Sequence, residues 1–531
     1  MRNIKGGHIL KEQNLVTSTI LLTATSFFTR TIGMISSVYL SKALGAEGMG
    51  IYEIVMSIYM TAAIFASAGL SVTVSRMIAE ALGKGNSPHI MHIMKVAFTF
   101  ALTTSFIAST LLFALAPQMT EFFVHDTTAA TGLRFLSLSI PFITCSSCFK
   151  GYFYATKKTI YPASADILEQ IVKVLLLIFL LHHYAPYGIT ATYSAIGIGL
   201  TIGEMVSWSY MLSLFIMDRK HIHSISSASP RKKDLFIKLI RILLPIACIS
   251  YLGYIFLSIE NTLIPTGLKK YNGSYSDSMG LFGMIRGMVM PILFFPSAFL
   301  TAFSTTLVPE IAKANVLKQE KRVRYTTSRV IQLTFILSLL VVTILMTYGN
   351  ELGFIIYKSE EIGPLLRTLS VIVPFVYIEV IADGILKGLN KQVSCLKYSI
   401  LDSIMRVILI YFLLPIKGIH GFMFVMIISC ILTSTLNFNK LLESTHLKLK
   451  PINWFLKPAV AAAFSGCYSR LIINRLLRYS MGLTSKVSLG ILLTVMIYIP
   501  LLFIIQTLSI EDMSWLKRQL RLLKSICVSP K

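Results

Sequence analysis

Long apolar runs follow one another along the chain, and short polar segments that carry most of the charge separate them. A helix needs about 20 predominantly apolar residues to cross a bilayer. We therefore predict fourteen spanning helices. They lie near residues 15–40, 50–82, 90–115, 132–155, 160–182, 187–217, 235–263, 279–312, 328–348, 363–388, 394–415, 419–441, 453–476 and 484–508.

Composition supports a membrane protein and excludes two other classes. The 531 residues are 54% hydrophobic and 14% charged, whereas soluble proteins carry about 25% charged residues. A water-soluble enzyme and a disordered chain are both excluded. The first run, Leu15 to Leu40, is too long for the apolar part of a signal peptide and has no cleavage site after it. We therefore expect it to be a span.

The distribution of basic residues orients the predicted spans. The net charge of +25 is typical of cationic cytoplasmic loops in a membrane protein, and we expect no nucleic-acid partner. Basic residues are concentrated in the tail and in the loops after spans six, eight and twelve. That side of the cell membrane is therefore predicted to be cytoplasmic, with both termini in the cytoplasm. The exception is the basic loop 470–486, which lies on the predicted outer face.

Internal similarity indicates two halves of one design. Residues 71–81 at the end of span two are similar to residues 304–314 at the end of span eight. Lys150-Gly151 and Lys387-Gly388 each open a basic turn before spans five and eleven. A six-span offset preserves orientation, as in parallel repeats of transporters. The predicted domains are a lobe at 1–218, a second lobe at 219–442, and two extra spans with a basic tail at 443–531.

Ionisable residues inside apolar spans mark a candidate pathway, because charge in a bilayer is costly. Glu169 and Lys173 are four residues apart on one face of span five, and Asp402 and Arg406 repeat this spacing in span eleven. Each pair is either an internal salt bridge or a carboxylate that carries a coupling cation or proton beside a responding base. Three further carboxylates lie near mid-depth: Glu204, Glu379 and Asp383.

Several motifs in order resemble a known family. They are Arg30-Thr-Ile-Gly33, Ala43 to Tyr52, Lys150-Gly-Tyr-Phe-Tyr, Tyr161-Pro162, Glu169 to Lys173, Pro296 and Leu307 to Ile311. The chain resembles the stage V sporulation protein B group of polysaccharide exporters, within the multidrug/oligosaccharidyl-lipid/polysaccharide flippase superfamily. The resemblance covers about residues 10–440. Ser71 stands where the family usually has a proline, so the usual kink in helix two is not expected here.

The resemblance implies an all-α polytopic membrane protein of about fourteen helices. Two six-helix pseudo-repeat bundles, like those of the MATE and MurJ transporters, would be followed by two C-terminal helices. It also implies flipping of a lipid-linked cell-wall precursor, in this group for the spore cortex. The expected substrate has a polyprenyl tail, a pyrophosphate and a glycan, and cell-wall synthesis machinery is a possible partner.

Arginines on the route are candidates for binding that pyrophosphate, because a guanidinium matches phosphate oxygens. Arg30 lies near mid-depth of span one, and its alternative role is an ion pair with Glu204. Arg286 lies in the outer half of span eight. Arg76 lies near the cytoplasmic end of span two and could instead reach the interface. Together with Lys173 and Arg406, these are the predicted substrate contacts.

The coupling ion, Na⁺ or H⁺, has candidate carboxylates in Glu169, Glu204, Glu260 and Asp402. By resemblance to related flippases, Glu260 in span seven and Asp402 in span eleven would bind sodium, with Thr433 a third ligand. Glu260 lies near the predicted outer end of its helix, where a solvated cap would also explain it.

Other chemistry is not expected. There is no ATP-binding or dinucleotide-binding motif, and we predict no other cofactor. The sequence His221-x-His223 lacks converging ligands for a metal, and Cys145 and Cys148 are expected to pack in a core. Two alternatives to a flippase stay open, a multidrug/cation antiporter of the same superfamily and a membrane glycan polymerase or ligase.

Overall fold

The computed structural model describes the backbone of residues 2–83, 89–219, 232–476 and 482–508. It describes the side chains within those ranges except for residues 2–23, 302, 305, 306, 309, 310 and 476. Helices make up nearly all of this part of the chain, and it contains no strand. The all-α fold class is therefore confirmed. His221 and His223 lie outside the described residues.

Two compact units account for the chain. The N-terminal unit is Phe28–Gly283, and the C-terminal unit is Met284–Lys531 together with Met1–Phe27. This division is based on packing, whereas the lobes at 1–218, 219–442 and 443–531 were drawn from sequence similarity and stay a prediction.

The N-terminal unit contains the first nine α-helices except for the start of the first one. They are α1 Arg2–Ser67, α2 Leu70–Gly83, α3 His89–Val124, α4 Ala130–Ser137, α5 Ile140–Ala155, α6 Ile160–Tyr184, α7 Ile189–Arg219, α8 Lys232–Asn272 and α9 Tyr275–Gly283. Helices α2, α3, α5, α7 and α8 enclose an apolar core around Phe149 and Tyr152. Cys145 and Cys148 are buried and unbonded, which agrees with a packing role.

Glycines supply the helix breaks near the start of the chain. Helix α1 is bent at Gly45, whose φ of 71° and ψ of −174° lie outside the helical region. A second break follows α1, where Gly69 has a φ of 73°. The expectation that helix two runs without its kink is therefore wrong. Gly69 takes the left-handed conformation at little steric cost, so no proline is needed at Ser71.

The C-terminal unit contains the remaining helices. They are α10 Met290–Phe294, α11 Ser297–Val316, α12 Glu320–Tyr357, α13 Ile362–Leu369, α14 Val373–Gly388, α15 Gln392–Thr445, α16 Lys457–Leu476 and α17 Leu483–Ile504. A π-helical turn, Met284–Val289, precedes α10, and another, Ile452–Leu456, precedes α16. Helix α15 is bent at Gly418, which has a φ of 54°.

Ten helices among the described residues are long and apolar enough to cross a membrane. Two of them, Ala24–Gly83 and Gln392–Thr445, contain the breaks at Gly45 and Gly418. Both bends fall between spans that the sequence predicts as separate. The protein is thus a multi-pass membrane protein, and the count of fourteen spans stays a prediction.

One basic residue of the predicted outer loop has a structural explanation. Arg470, in α16, places a guanidinium nitrogen 2.6 Å from a carboxylate oxygen of Glu351 in α12. Its guanidinium carbon also lies 5.5 Å from the ring centre of Tyr348. Arg470 therefore joins α16 to α12, which accounts for part of the positive charge on that side.

Close packing in the N-terminal unit depends on Gly283, and this yields a matched test. A Cβ atom at Gly283 would lie 2.1 Å from the carbonyl oxygen of Ala46, whereas one at Gly280 would lie 3.9 Å from its nearest neighbour. Gly283→Ala should therefore force α9 away from α1 and lower the melting temperature in detergent, while Gly280→Ala should leave it nearly unchanged. Equal melting temperatures for the two variants would contradict this packing.

Candidate functional site

Helix α6 carries a row of charged side chains on one face. Asp166, Glu169 and Lys173 are spaced three and four residues apart, so they lie one above another. Apolar residues occupy most of the rest of the helix, which keeps it stable in a bilayer. The charged row consequently needs partners from neighbouring helices rather than from water.

Lys173 lies between two carboxylates. Its Nζ is 2.7 Å from Oε1 of Glu169 on the same helix and 2.7 Å from Oε1 of Glu204 on α7. The three side chains are only 12–13% exposed. The predicted pair of Glu169 and Lys173 thus exists as a salt bridge. Glu204 pairs with Lys173. The alternative role of Arg30, an ion pair with Glu204, is therefore wrong.

A glycine on α7 makes this contact possible. A Cβ atom at Gly203 would lie 2.3 Å from Cγ of Lys173. The aliphatic part of the lysine therefore lies directly against the backbone of α7, one residue before Glu204. Small residues at such crossings let membrane helices approach closely.

The charged row continues through α5. Lys150 Nζ is 2.7 Å from Oδ1 of Asp166, and its charge also acts on Glu169 and Glu204. We call these five residues, Lys150, Asp166, Glu169, Lys173 and Glu204, the α6 network. It contains three carboxylates and two ammonium groups, so when fully ionised it has a net charge of −1.

A smaller cluster forms in the C-terminal unit around α15. Arg406 Nε lies 3.2 Å from Oδ2 of Asp402, one helical turn away. The Ser429 hydroxyl, on the part of α15 after the bend, donates a 2.6 Å hydrogen bond to Oδ1 of Asp402. Half-buried Glu379 on α14 interacts electrostatically with both Asp402 and Arg406. We call these four residues the α15 cluster.

Thr433 lies beside this cluster. Its hydroxyl donates a 2.8 Å hydrogen bond to the Ser429 carbonyl, and it is buried. The fold therefore brings Asp402 and Thr433 to one neighbourhood through Ser429. Sequence reasoning did not predict Ser429 as a member of this site. No group of three or more metal-binding side chains occurs in the described part of the chain.

Glu260 does not lie where the sequence predicted. Helix α8 continues to Asn272 instead of ending near residue 263, so Glu260 is about 18 Å from its end at 1.5 Å per residue. Its side chain is 2% exposed. The interpretation as a solvated helix cap is wrong, because the polar segment after Ile264 extends the helix rather than ending it.

The predicted arginines have three different environments. Arg30 is exposed, and within the described ranges it has no carboxylate partner. Arg76, in the middle of α2, is also exposed and lies 3.4 Å from a carboxylate oxygen of Glu80. Arg286 belongs to the π-helical turn Met284–Val289, a distortion that often occurs at functional sites.

Comparison with known proteins identifies the family. Residues 15–315, more than half of the chain, match the family described as polysaccharide biosynthesis protein. The chain belongs to this polysaccharide biosynthesis protein family. The expected resemblance to the stage V sporulation protein B group of the superfamily is confirmed.

Curated relatives of this family member come from Bacillus subtilis (strain 168). It is 24% identical to stage V sporulation protein B, over 84% of this chain and 86% of that protein. It is 21% identical to the lipid II flippase MurJ, over 74% of this chain and 76% of that protein.

Solved structures share the fold of this family member. A lipid II flippase MurJ in an inward closed conformation superposes with a TM-score of 0.68 at 14% identity, covering 91% of this chain and 98% of that one. An inward-facing multidrug resistance MATE transporter of the MOP superfamily gives 0.61 at 14% identity, covering 82% and 100%. The predicted MATE- and MurJ-like fold is confirmed.

The α6 network predicts a strong and specific stability effect. Lys173→Met would leave Glu169 and Glu204 without their shared ammonium group, and breaking a buried pair costs about 3–5 kcal/mol. We expect a large drop in the melting temperature in detergent. Adding Glu169→Gln and Glu204→Gln should restore most of the lost melting temperature, because no unpaired carboxylate charge remains at these two positions.

Lys387→Met is the matched control for Lys173→Met. Lys387 pairs with Asp383, but their side chains are 51% and 36% exposed, so the loss should be about 1 kcal/mol or less. Equal effects of the two lysine variants, or no rescue by the glutamines, would show that the network does not stabilise the fold.

Proposed function

We propose that this protein flips a lipid-linked cell-wall oligosaccharide precursor across the cytoplasmic membrane by alternating access. The substrate is undecaprenyl-pyrophosphate-linked and similar to lipid II, and it serves spore cortex peptidoglycan. The family, the flippase and sporulation relatives, and the transporter fold support this function. The relatives whose names state an activity, the flippase MurJ and the MATE transporter, are not enzymes, in agreement with the prediction of a transporter.

The observation that carries the proposal is the state of Arg30. An exposed guanidinium within an apolar helix, without a carboxylate among the described residues, is suited to an anionic ligand. A pyrophosphate accepts paired hydrogen bonds from such a fork. Arg286 and Arg76 are proposed as further substrate contacts, and Lys173 and Arg406 as contacts within their own clusters.

We assign cation coupling primarily to the α15 cluster. Asp402 is 6% exposed, accepts a hydrogen bond from the Ser429 hydroxyl and lies beside Arg406. Hydroxyl and carboxylate oxygens are ligands that suit Na⁺, and the Asp402 carboxylate could equally take a proton. Glu169, Glu204 and Glu260 are further coupling candidates. A bound cation changes the transport cycle only if it binds one conformation better than the other.

The membrane orientation is part of the proposal. The basic loops after spans six, eight and twelve support an orientation with both termini in the cytoplasm. The precursor would enter from that side, and the proposed partner there is the cell-wall synthesis machinery.

A specific observation favours a second candidate, a multidrug/cation antiporter. The α6 network has one more carboxylate than ammonium groups, and a net negative site suits a cationic drug. The fold likeness to MATE transporters is compatible with it. Substrate binding separates the two candidates, because one ligand is anionic and the other cationic.

Binding of an undecaprenyl-pyrophosphate-linked peptidoglycan precursor to the protein in nanodiscs tests the main proposal. We expect saturable binding that Arg30→Ala weakens about tenfold or more, which corresponds to about 1.4 kcal/mol. Lys42→Ala is the matched control, since Lys42 is an exposed cation on the same helix. Wild-type protein that ignores the precursor and binds lipophilic cations would favour the antiporter.

Cation dependence of flipping in proteoliposomes tests the coupling site. Asp402→Asn should abolish the dependence on a Na⁺ or proton gradient, because the amide has no negative charge with which to bind Na⁺ or a proton. Glu443→Gln is the control, since Glu443 is an exposed carboxylate on the same helix and pairs with Lys440. If Asp402→Asn keeps the wild-type dependence, coupling resides elsewhere.

A further inference from the structure

The C-terminal unit has a cavity of about 530 Å³ between α12, the segment that precedes α16, and the chain just after α17. Three basic side chains line it, together with two aromatic and several polar residues, and none of its lining residues is acidic. The residues that matter here are Arg324, Tyr325, Arg329, Lys450, Trp454 and Thr507.

The basic side chains are positioned to share an anion. Arg324 uses one terminal nitrogen for Glu320, at 3.1 Å, and its buried Nε has no hydrogen-bond partner in the described part of the chain. The Arg329 guanidinium lies 5.4 Å from the ring centre of Tyr325, which orients it. Lys450 is exposed, with no carboxylate partner in the described ranges.

Polar groups on the cavity wall complete a receptor for oxygen atoms. The Gln332 amide group donates a hydrogen bond to the Thr507 carbonyl, which joins α12 to the chain just after α17. The Gln332 side-chain oxygen accepts a hydrogen bond from Arg329 at 3.4 Å. The Thr507 side chain is 3% exposed, and its hydroxyl has no partner among the residues that the structure describes. A buried unpaired hydroxyl is costly, and a phosphate oxygen would satisfy it.

An apolar surface adjoins the cavity. Trp454 lies in the π-helical turn Ile452–Leu456 and is buried. Around it, Leu449, Ile452, Phe455 and Leu456 are 45–59% exposed. Exposed apolar side chains in a membrane protein contact acyl chains. A charged cavity and an exposed apolar surface therefore lie side by side.

We propose that this cavity binds the phosphate-bearing headgroup of an anionic membrane phospholipid, whose acyl chains lie along Leu449, Ile452, Phe455 and Leu456. Basic pockets between membrane helices on the cytoplasmic side bind such headgroups. The segment around the cavity belongs to the basic loop after span twelve. This lipid is a resident of the bilayer and distinct from the transported precursor, so the inference shares only the membrane orientation with the proposed function.

Lipid binding to the full-length protein tests the site. The readout is retention of phosphatidylglycerol compared with phosphatidylcholine, measured by native mass spectrometry. We expect a preference for phosphatidylglycerol that the double variant Arg324→Gln/Lys450→Gln lowers about tenfold or more.

The matched control is Arg322→Gln/Lys448→Gln, which removes the same charge from exposed positions two residues away that do not line the cavity. It should keep the preference. Equal losses in both double variants would mean general surface attraction and would overturn the proposal, as would a wild-type protein without any preference.

Two further arms identify the occupant. Inorganic phosphate or pyrophosphate that displaces phosphatidylglycerol completely would show a free-anion site instead of a lipid site. Glu511→Gln/Asp512→Asn removes the carboxylates that follow Thr507 in the sequence. If phosphatidylglycerol bound only to this variant, the chain's own carboxylates would be the occupant and the proposal would be wrong.

A measurement on the unaltered cavity covers the case of a variant that does not fold. Trp208→Phe/Trp515→Phe leaves Trp454 as the only tryptophan of the three in the chain. Brominated phosphatidylglycerol should quench its fluorescence more strongly than brominated phosphatidylcholine does. Equal quenching by the two lipids would contradict a headgroup site beside Trp454.

Discussion

Charge inside an apolar span must be compensated within the protein, and this constraint organises both units. Without water, an isolated carboxylate or ammonium group is costly, so each needs a partner at hydrogen-bond distance. Lys173 meets this requirement with two carboxylates at 2.7 Å, and Asp402 meets it with Arg406 and Ser429. Helices that supply these partners cannot move apart freely, because separation would expose the charges to hydrocarbon.

Glycine provides the geometry that this compensation requires. Gly203 lets the stem of Lys173 lie against α7, and a larger residue there would move the ammonium group away from Glu204. The left-handed Gly69 and the bend at Gly418 have a related role, since they redirect helices inside long apolar segments. Breaks of this kind are tolerated in a membrane where neighbouring helices satisfy the freed backbone groups.

The sequence predicts the elements well, because span length and apolar composition are local properties. The predicted spans lie in helical segments, although spans four, eight and ten each cover more than one helix and α1 and α15 each run through two spans. The pair of Asp402 and Arg406 follows from helical spacing alone. The partners of Asp166 and Asp402, namely Lys150 and Ser429, come from elsewhere in the fold and have no local signal. The depth of Glu260 was misjudged because α8 continues through a polar segment, which hydropathy reads as a loop.

The two charged clusters differ in a way that separates their roles. In the α6 network, Lys173 is shared by Glu169 and Glu204, so an incoming cation would have to displace an ammonium group that both carboxylates bind. In the α15 cluster, Arg406 lies beside only one oxygen of Asp402. The other oxygen of Asp402 accepts from the neutral Ser429 hydroxyl. That hydroxyl can rotate and present its own oxygen to a cation, at the cost of one hydrogen bond. The α6 network is therefore better suited to hold helices together, and the α15 cluster is better suited to exchange an ion during transport.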